Sequence, residues 1–128
     1  MKPFYIQMVF AAVVVLITFG SAARAADVAY VSGGAGVDER EALLTQEKGY
    51  SLKIVAAETS GDYLAGVQVV IESAKNQRVL ETTMDGPILL AKLAPGTYTI
   101  RATSGEKTLT KTVTIAAQGL RLVDFRWR

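Results

Sequence analysis

The side chains that most often carry chemistry near neutral pH are missing from this sequence. It contains no histidine and no cysteine. That removes the commonest general base, the commonest metal ligand and the thiol nucleophile. Serine and threonine abound, but a hydroxyl nucleophile needs an adjacent base, and only carboxylates and lysines are left to supply one. No spacing of carboxylates points to a paired-acid glycosidase. The expectation is a protein with no catalytic residues, no metal and no cofactor.

Binding chemistry is better represented. The chain ends Val123-Asp124-Phe125-Arg126-Trp127-Arg128. With Arg121 nearby, this end offers the tryptophan and arginines that dominate protein interfaces. Arg121, Arg126, Trp127 and Arg128 are therefore the candidate interaction surface. The same residues also read as a core strand, with Val123, Phe125 and Trp127 on one face and the arginines at its rim. Tyr30, Tyr50, Tyr63 and Trp127 could stack on sugars, giving a second candidate role in carbohydrate or cell-wall binding. A third feature, Ser32-Gly33-Gly34-Ala35-Gly36, has the glycine content of a phosphate-binding loop. Its spacing fits neither nucleotide-binding glycine pattern, and Asp38, Glu39 and Glu41 follow it, so a plain connector is expected.

These residues must be positioned by a small exported domain. Lys2 precedes a continuous apolar block, Met8–Gly20, shorter than the roughly 20 residues of a membrane span. Ala23-Arg24-Ala25 then supplies a small-x-small cleavage site. Residues 1–25 read as a signal peptide for export to the periplasm, the alternative being an uncleaved anchor. Lys2 and Arg24 fall in that leader, which has no acid, so the 14 basic and 12 acidic side chains of the full chain become equal in number. A nucleic-acid binder needs a cationic excess, so nucleic acid is not an expected partner. The expected partners are an envelope protein or a glycan, with no membrane span after cleavage.

Residues 26–49 read as an N-terminal segment. Asp27–Val31 fits a short strand, and Val37–Lys48 a helix with acids in its first turn, Lys48 in its last and Gly49 at the C′ position. Its apolar stripe is thin. From Tyr50 the period changes from helical to alternating. Leu52, Ile54 and Ala56 face one way; so do Val67, Val69 and Ile71; and so do Tyr98, Ile100 and Ala102. Val70, apolar on the outer side, suggests a central strand. Lys111 falls in the apolar register of Leu109, Val113 and Ile115, an edge-protecting device that places residues 108–115 at a sheet edge. Asp85-Gly86 and Pro95-Gly96 supply turns, with proline fixing φ and glycine free to take positive values. Residues 50–128 are thus expected to form a mainly β, seven-stranded antiparallel sandwich, with one helix before it.

The run Leu80-Glu81-Thr82-Thr83-Met84-Asp85-Gly86-Pro87-Ile88-Leu89-Leu90-Ala91-Lys92-Leu93-Ala94-Pro95-Gly96-Thr97-Tyr98-Thr99-Ile100 resembles carboxypeptidase regulatory-like domains. Those are transthyretin-like (prealbumin-like) sandwiches, built on a strand, an Asp/Gly turn, an apolar strand ending in Leu, and Pro-Gly-x-Tyr. The likeness extends loosely from Gly66 to Ile115, and pilus and adhesin repeats share its last motif. It implies a Greek-key sandwich without catalytic residues, in which Asp85, Gly86, Pro95, Gly96 and Tyr98 shape a structural corner, Tyr98 tying it through its hydroxyl. Two activities of similar folds fit poorly. Hydroxyisourate hydrolysis needs histidines and a different C-terminus. An isopeptide bond needs a buried Lys–Asn/Asp pair, whereas Lys53 and Asp124 are expected to face solvent.

Overall fold

The alternating segments become strands in two packed sheets. A computed structural model describes residues 28–128, so the signal-peptide reading of 1–25 lies outside the described residues. The chain runs through β1 (Tyr30–Gly33), α1 (Val37–Gln46), a 3₁₀ turn (Glu47–Gly49), β2 (Leu52–Glu58), β3 (Gln68–Ser73), β4 (Arg78–Thr83), β5 (Ile88–Ala91), β6 (Gly96–Ser104), β7 (Lys107–Ile115) and β8 (Arg121–Trp127). One sheet has the order β1-β5-β2-β8 and the other β4-β3-β6-β7. Among the described residues no helix is long and apolar enough to cross a membrane.

Mainly β structure in two sheets agrees with the sequence expectation, and two particulars differ from it. There are eight strands among the described residues rather than seven, because Tyr30–Gly33 of the N-terminal segment pairs antiparallel with β5. Nor is the pairing antiparallel throughout: β2 and β8 run parallel, from Leu52↔Arg121 to Glu58↔Trp127. Alternation of apolar residues sets which face of a strand is buried, and it is blind to strand direction.

The inward residues of both sheets form one core. Leu52, Ile54, Leu89, Val123 and Phe125 meet Val69, Ile71, Ile100, Val113 and Ile115. Each such side chain contributes about 1.5–3 kcal/mol by leaving water. β3 lies centrally, between β4 and β6, which accounts for apolar Val70 on its outer side. β5 also lies centrally, and all four of its residues are buried. Its outward pair, Ile88 and Leu90, is covered by Leu43 of α1, with Val31 and Tyr50 packed alongside. Leu43 is the only buried residue of α1, as its thin stripe implies. The helix does not end on a left-handed Gly49: that glycine has no positive φ, and the chain leaves through the 3₁₀ turn, with Tyr50 N donating to Glu47 O at 3.1 Å.

Both glycine turns are crossings between sheets, one from β4 to β5 and the other from β5 to β6. Gly96 has φ 154°, but Gly86 has no positive φ. What Gly86 supplies is space, since a Cβ there would lie 2.4 Å from Gly33 O. At the second crossing the Tyr98 hydroxyl donates to Ala94 O at 2.8 Å, from a ring that is otherwise buried. Removing that hydroxyl in Tyr98→Phe should cost about 1–1.5 kcal/mol, one net hydrogen bond to a carbonyl that is left in place. Urea melts of the two proteins check this, and an unchanged midpoint would remove the hydroxyl from any structural role.

Candidate interaction surface

β8 alternates as its sequence requires. Val123, Phe125 and Trp127 are buried; Arg121, Leu122, Arg126 and Arg128 are exposed. Trp127 therefore leaves the candidate interaction surface: it is only 4% exposed, and its Nε1 donates to Lys107 O at 3.1 Å. Its ring lies 6.0 Å from that of Phe125. Burial follows from parity, because Trp127 shares a strand face with the two core residues Val123 and Phe125. The three arginines remain at the surface.

The parallel ladder also decides which peptide groups of β8 are free. Arg121 N donates to Ser51 O at 2.8 Å, and Thr59 N to Trp127 O at 2.7 Å. Residues 121, 123, 125 and 127 thus turn their peptide groups toward β2, by the alternation of such a ladder. Leu122, Asp124 and Arg126 turn theirs away, to an edge with no neighbouring strand among the described residues. The side chain of Lys111, on β7 of the facing sheet, reaches this edge. Its Nζ donates to Asp124 O at 2.5 Å and lies 5.3 Å from the centre of the Phe125 ring. β7 is itself an edge strand, as its inward-register lysine implied. Between the two edges lies a hollow of about 420 Å³, lined by Lys111, Thr112, Val113, Arg121, Leu122, Val123 and Asp124.

Leu122 is the residue that sequence reasoning passed over. It is 58% exposed, an apolar side chain on the polar face of its strand. The signal was available in its parity: it sits out of register with Val123, Phe125 and Trp127.

Charge on this seam is positive. Lys107, Lys111, Arg121, Arg126 and Arg128 stand against Asp124 alone on β7, β8 and the residue that follows them. Arg126 holds Asp124 with two bonds, Nε–Oδ1 at 3.0 Å and Nη2–Oδ2 at 3.1 Å. The Asp124 carboxylate, through those bonds and then its charge, raises Arg126 above the ordinary guanidinium value. Among the described residues Lys107, Arg121 and Arg128 form no ion pair.

The other sequence candidates are dispersed. Tyr50 precedes β2 and Tyr63 bridges to Ala57 near its far end, about 20 Å apart at strand rise. The guanidinium of Arg40 lies over one side of the exposed Tyr63 ring, 5.2 Å from its centroid. Tyr30 lies on β1 with its hydroxyl accepting from Thr82 at 3.0 Å. With Trp127 buried, these four aromatics do not assemble into one stacking platform. The glycine-rich loop is filled by its own chain, since Glu39 Oε1 accepts from Gly34 N at 3.2 Å and Ala35 N at 3.0 Å. Lys53 pairs with Glu47 at 2.6 Å and Asp124 with Arg126, so the two residues of a hypothetical isopeptide bond are held apart by different partners.

Comparison with protein-family models and with curated proteins gives no match.

Proposed function

We propose that this chain is a non-catalytic, exported β-sandwich module that binds protein partners in the cell envelope through the open edge of β8. The observation that carries this reading is the edge itself. Among the described residues the peptide groups of Leu122, Asp124 and Arg126 have no strand partner, Asp124 O being met only by the Lys111 ammonium, and they lie beside an exposed leucine and a row of cations. An extended segment added there gains main-chain hydrogen bonds from the strand and specificity from alternate side chains. The absence of histidine and cysteine from the sequence supports a binding role over a catalytic one. The leader-like residues 1–25 support export to the periplasm. The run from Leu80 to Ile100, together with the Tyr98–Ala94 tie, supports placing the sandwich among the transthyretin-like, carboxypeptidase regulatory-like Greek keys.

Crosslinking in cells tests the docking reading. A photoreactive residue at position 122 of the full-length chain should capture a partner, and one at Thr83, on the edge strand β4 of the other sheet, should not. Leu122→Pro removes a peptide N–H that no strand among the described residues uses, a change edge strands tolerate. Introduced with the photoreactive residue moved to position 124, it should abolish the capture. Equal capture with and without that proline would overturn the reading.

A further inference from the structure

The positive charge of the seam narrows the kind of segment this edge can accept, given that the β8 edge is the docking element proposed above. We propose that the occupant is an extended acidic segment of another protein, which adds to the sheet beyond β8 and sets its carboxylates against Lys111 and Arg121.

Lys111 carries the specificity. Its ammonium now caps Asp124 O, one of the acceptors that an incoming strand must use. An added strand replaces that bond with a peptide N–H and displaces the ammonium. The displaced charge stays on an exposed side chain between β7 and β8, near the ring of Phe125 that it now overlies. A neutral strand would leave it there without a counter-charge, and a basic one would set like charge against it. A carboxylate on the seam side of the incoming strand would meet it. On the opposite side of that strand an apolar residue would cover Leu122.

Charge also argues against a second copy of this chain as the occupant. Two β8 edges brought together would each bring Lys107, Lys111, Arg121 and Arg128, with the one acid of each seam, Asp124, already held by Arg126. The chain's own acids gather elsewhere, Asp38, Glu39 and Glu41 lying on α1.

Two blocked peptides test the proposal, one alternating Glu and Val and the other Lys and Val. Titration into the ¹⁵N-labelled protein should move the amides of Leu122, Asp124 and Arg126, and the Glu peptide should bind at least about tenfold more tightly than the Lys peptide. Lys111→Glu and Arg121→Glu should each reverse or erase that preference, with melting curves showing that both variants fold. Added salt should weaken binding of the Glu peptide. Equal affinity for the two peptides would overturn the acidic class while leaving the edge as a docking element. So would the lack of any shift at these three amides with either peptide, if cellular crosslinking from position 122 still finds a partner. Loss of that crosslinking specificity would instead overturn the docking reading itself. Concentration-dependent dimerisation that protects the same three amides would make a second copy the occupant and overturn the acidic-segment proposal.

Discussion

Replacing Gly86 by alanine should destabilise the protein by about 3 kcal/mol, the upper part of the usual range for forcing extra volume into a packed site. The added methyl would stand 2.4 Å from Gly33 O and 2.5 Å from Gly33 C, with Ala35 N at 3.1 Å. All three are backbone atoms, so no rotamer change can relieve the clash. Either β1 or the crossing between β4 and β5 must move. That movement would pull on the bond from Asp85 N to Ser32 Oγ at 3.0 Å, and on Pro87, whose carbonyl accepts from Ala56 N at 2.9 Å. At the size of this domain the melting temperature should fall by about 10–20 °C. Gly49→Ala is the matched control: it has open space around it and no positive φ, and should change stability by less than about 1 kcal/mol. Hydrogen exchange locates the damage. In Gly86→Ala the amides of β1 and α1 should lose protection first, while the β6–β7 hairpin keeps its own. A melting temperature equal to that of the Gly49 control would show that the approach of Gly33 to Gly86 is unimportant.

That contact illustrates which parts of the fold a sequence discloses. The inward faces of β2, β3, β6 and β8 were legible because alternation and burial are the same statement at period two. The edge position of β7 was legible from one charge, Lys111, in an apolar register. The need for glycine at position 86 was not, because it arises from the backbone of residue 33, more than fifty positions earlier in the chain. Gly86 and Gly96 look alike in the sequence, each beside a proline, yet one serves close approach and the other a φ of 154°. The parallel pairing of β2 with β8 was hidden for a related reason. Direction within a sheet is set by the path of the connections, and nothing in Leu52–Glu58 or Arg121–Trp127 encodes it locally.

The candidate site was half visible on the same grounds. Its arginines could be picked out by type; the exposure of Arg126 and Arg128 follows from strand parity, whereas Arg121 shares the parity of Val123 and is exposed at the first position of the strand. Trp127 could be assigned to either role from type alone, and parity with Phe125 decides for the core. The open edge itself is a property of topology: among the described residues β8 stands last in the sheet order, with β2 as its one neighbour. Lys111 makes the link between fold and site. The residue that protects an edge against indiscriminate pairing is also the one whose charge an incoming segment must satisfy.

Phe125→Ala should remove about 3–5 kcal/mol, the usual cost of deleting a fully buried ring. Phe125 has no exposed surface and sits between the Trp127 ring and the Lys111 ammonium. Its deletion leaves a cavity at the join of the two sheets, where rigid strands on either side limit collapse. A domain of this size has about 5–15 kcal/mol in all, so the variant should be partly unfolded at modest urea concentration. Phe125→Leu retains most of the volume and should cost about 1.5 kcal/mol or less. Trp127, the only tryptophan in the chain, reports on this join directly. Its emission should shift to the red, and be quenched by iodide, at lower urea in Phe125→Ala than in Phe125→Leu. The same variant separates packing from docking. If the edge of β8 is held in place by Val123, Phe125 and Trp127, binding of the Glu-Val peptide should weaken together with fluorescence-detected stability, and Phe125→Leu should restore both. Full peptide affinity in a Phe125→Ala protein that still melts early would show that the edge does not depend on the core beneath it. Full stability in Phe125→Ala would overturn the packing account of the seam.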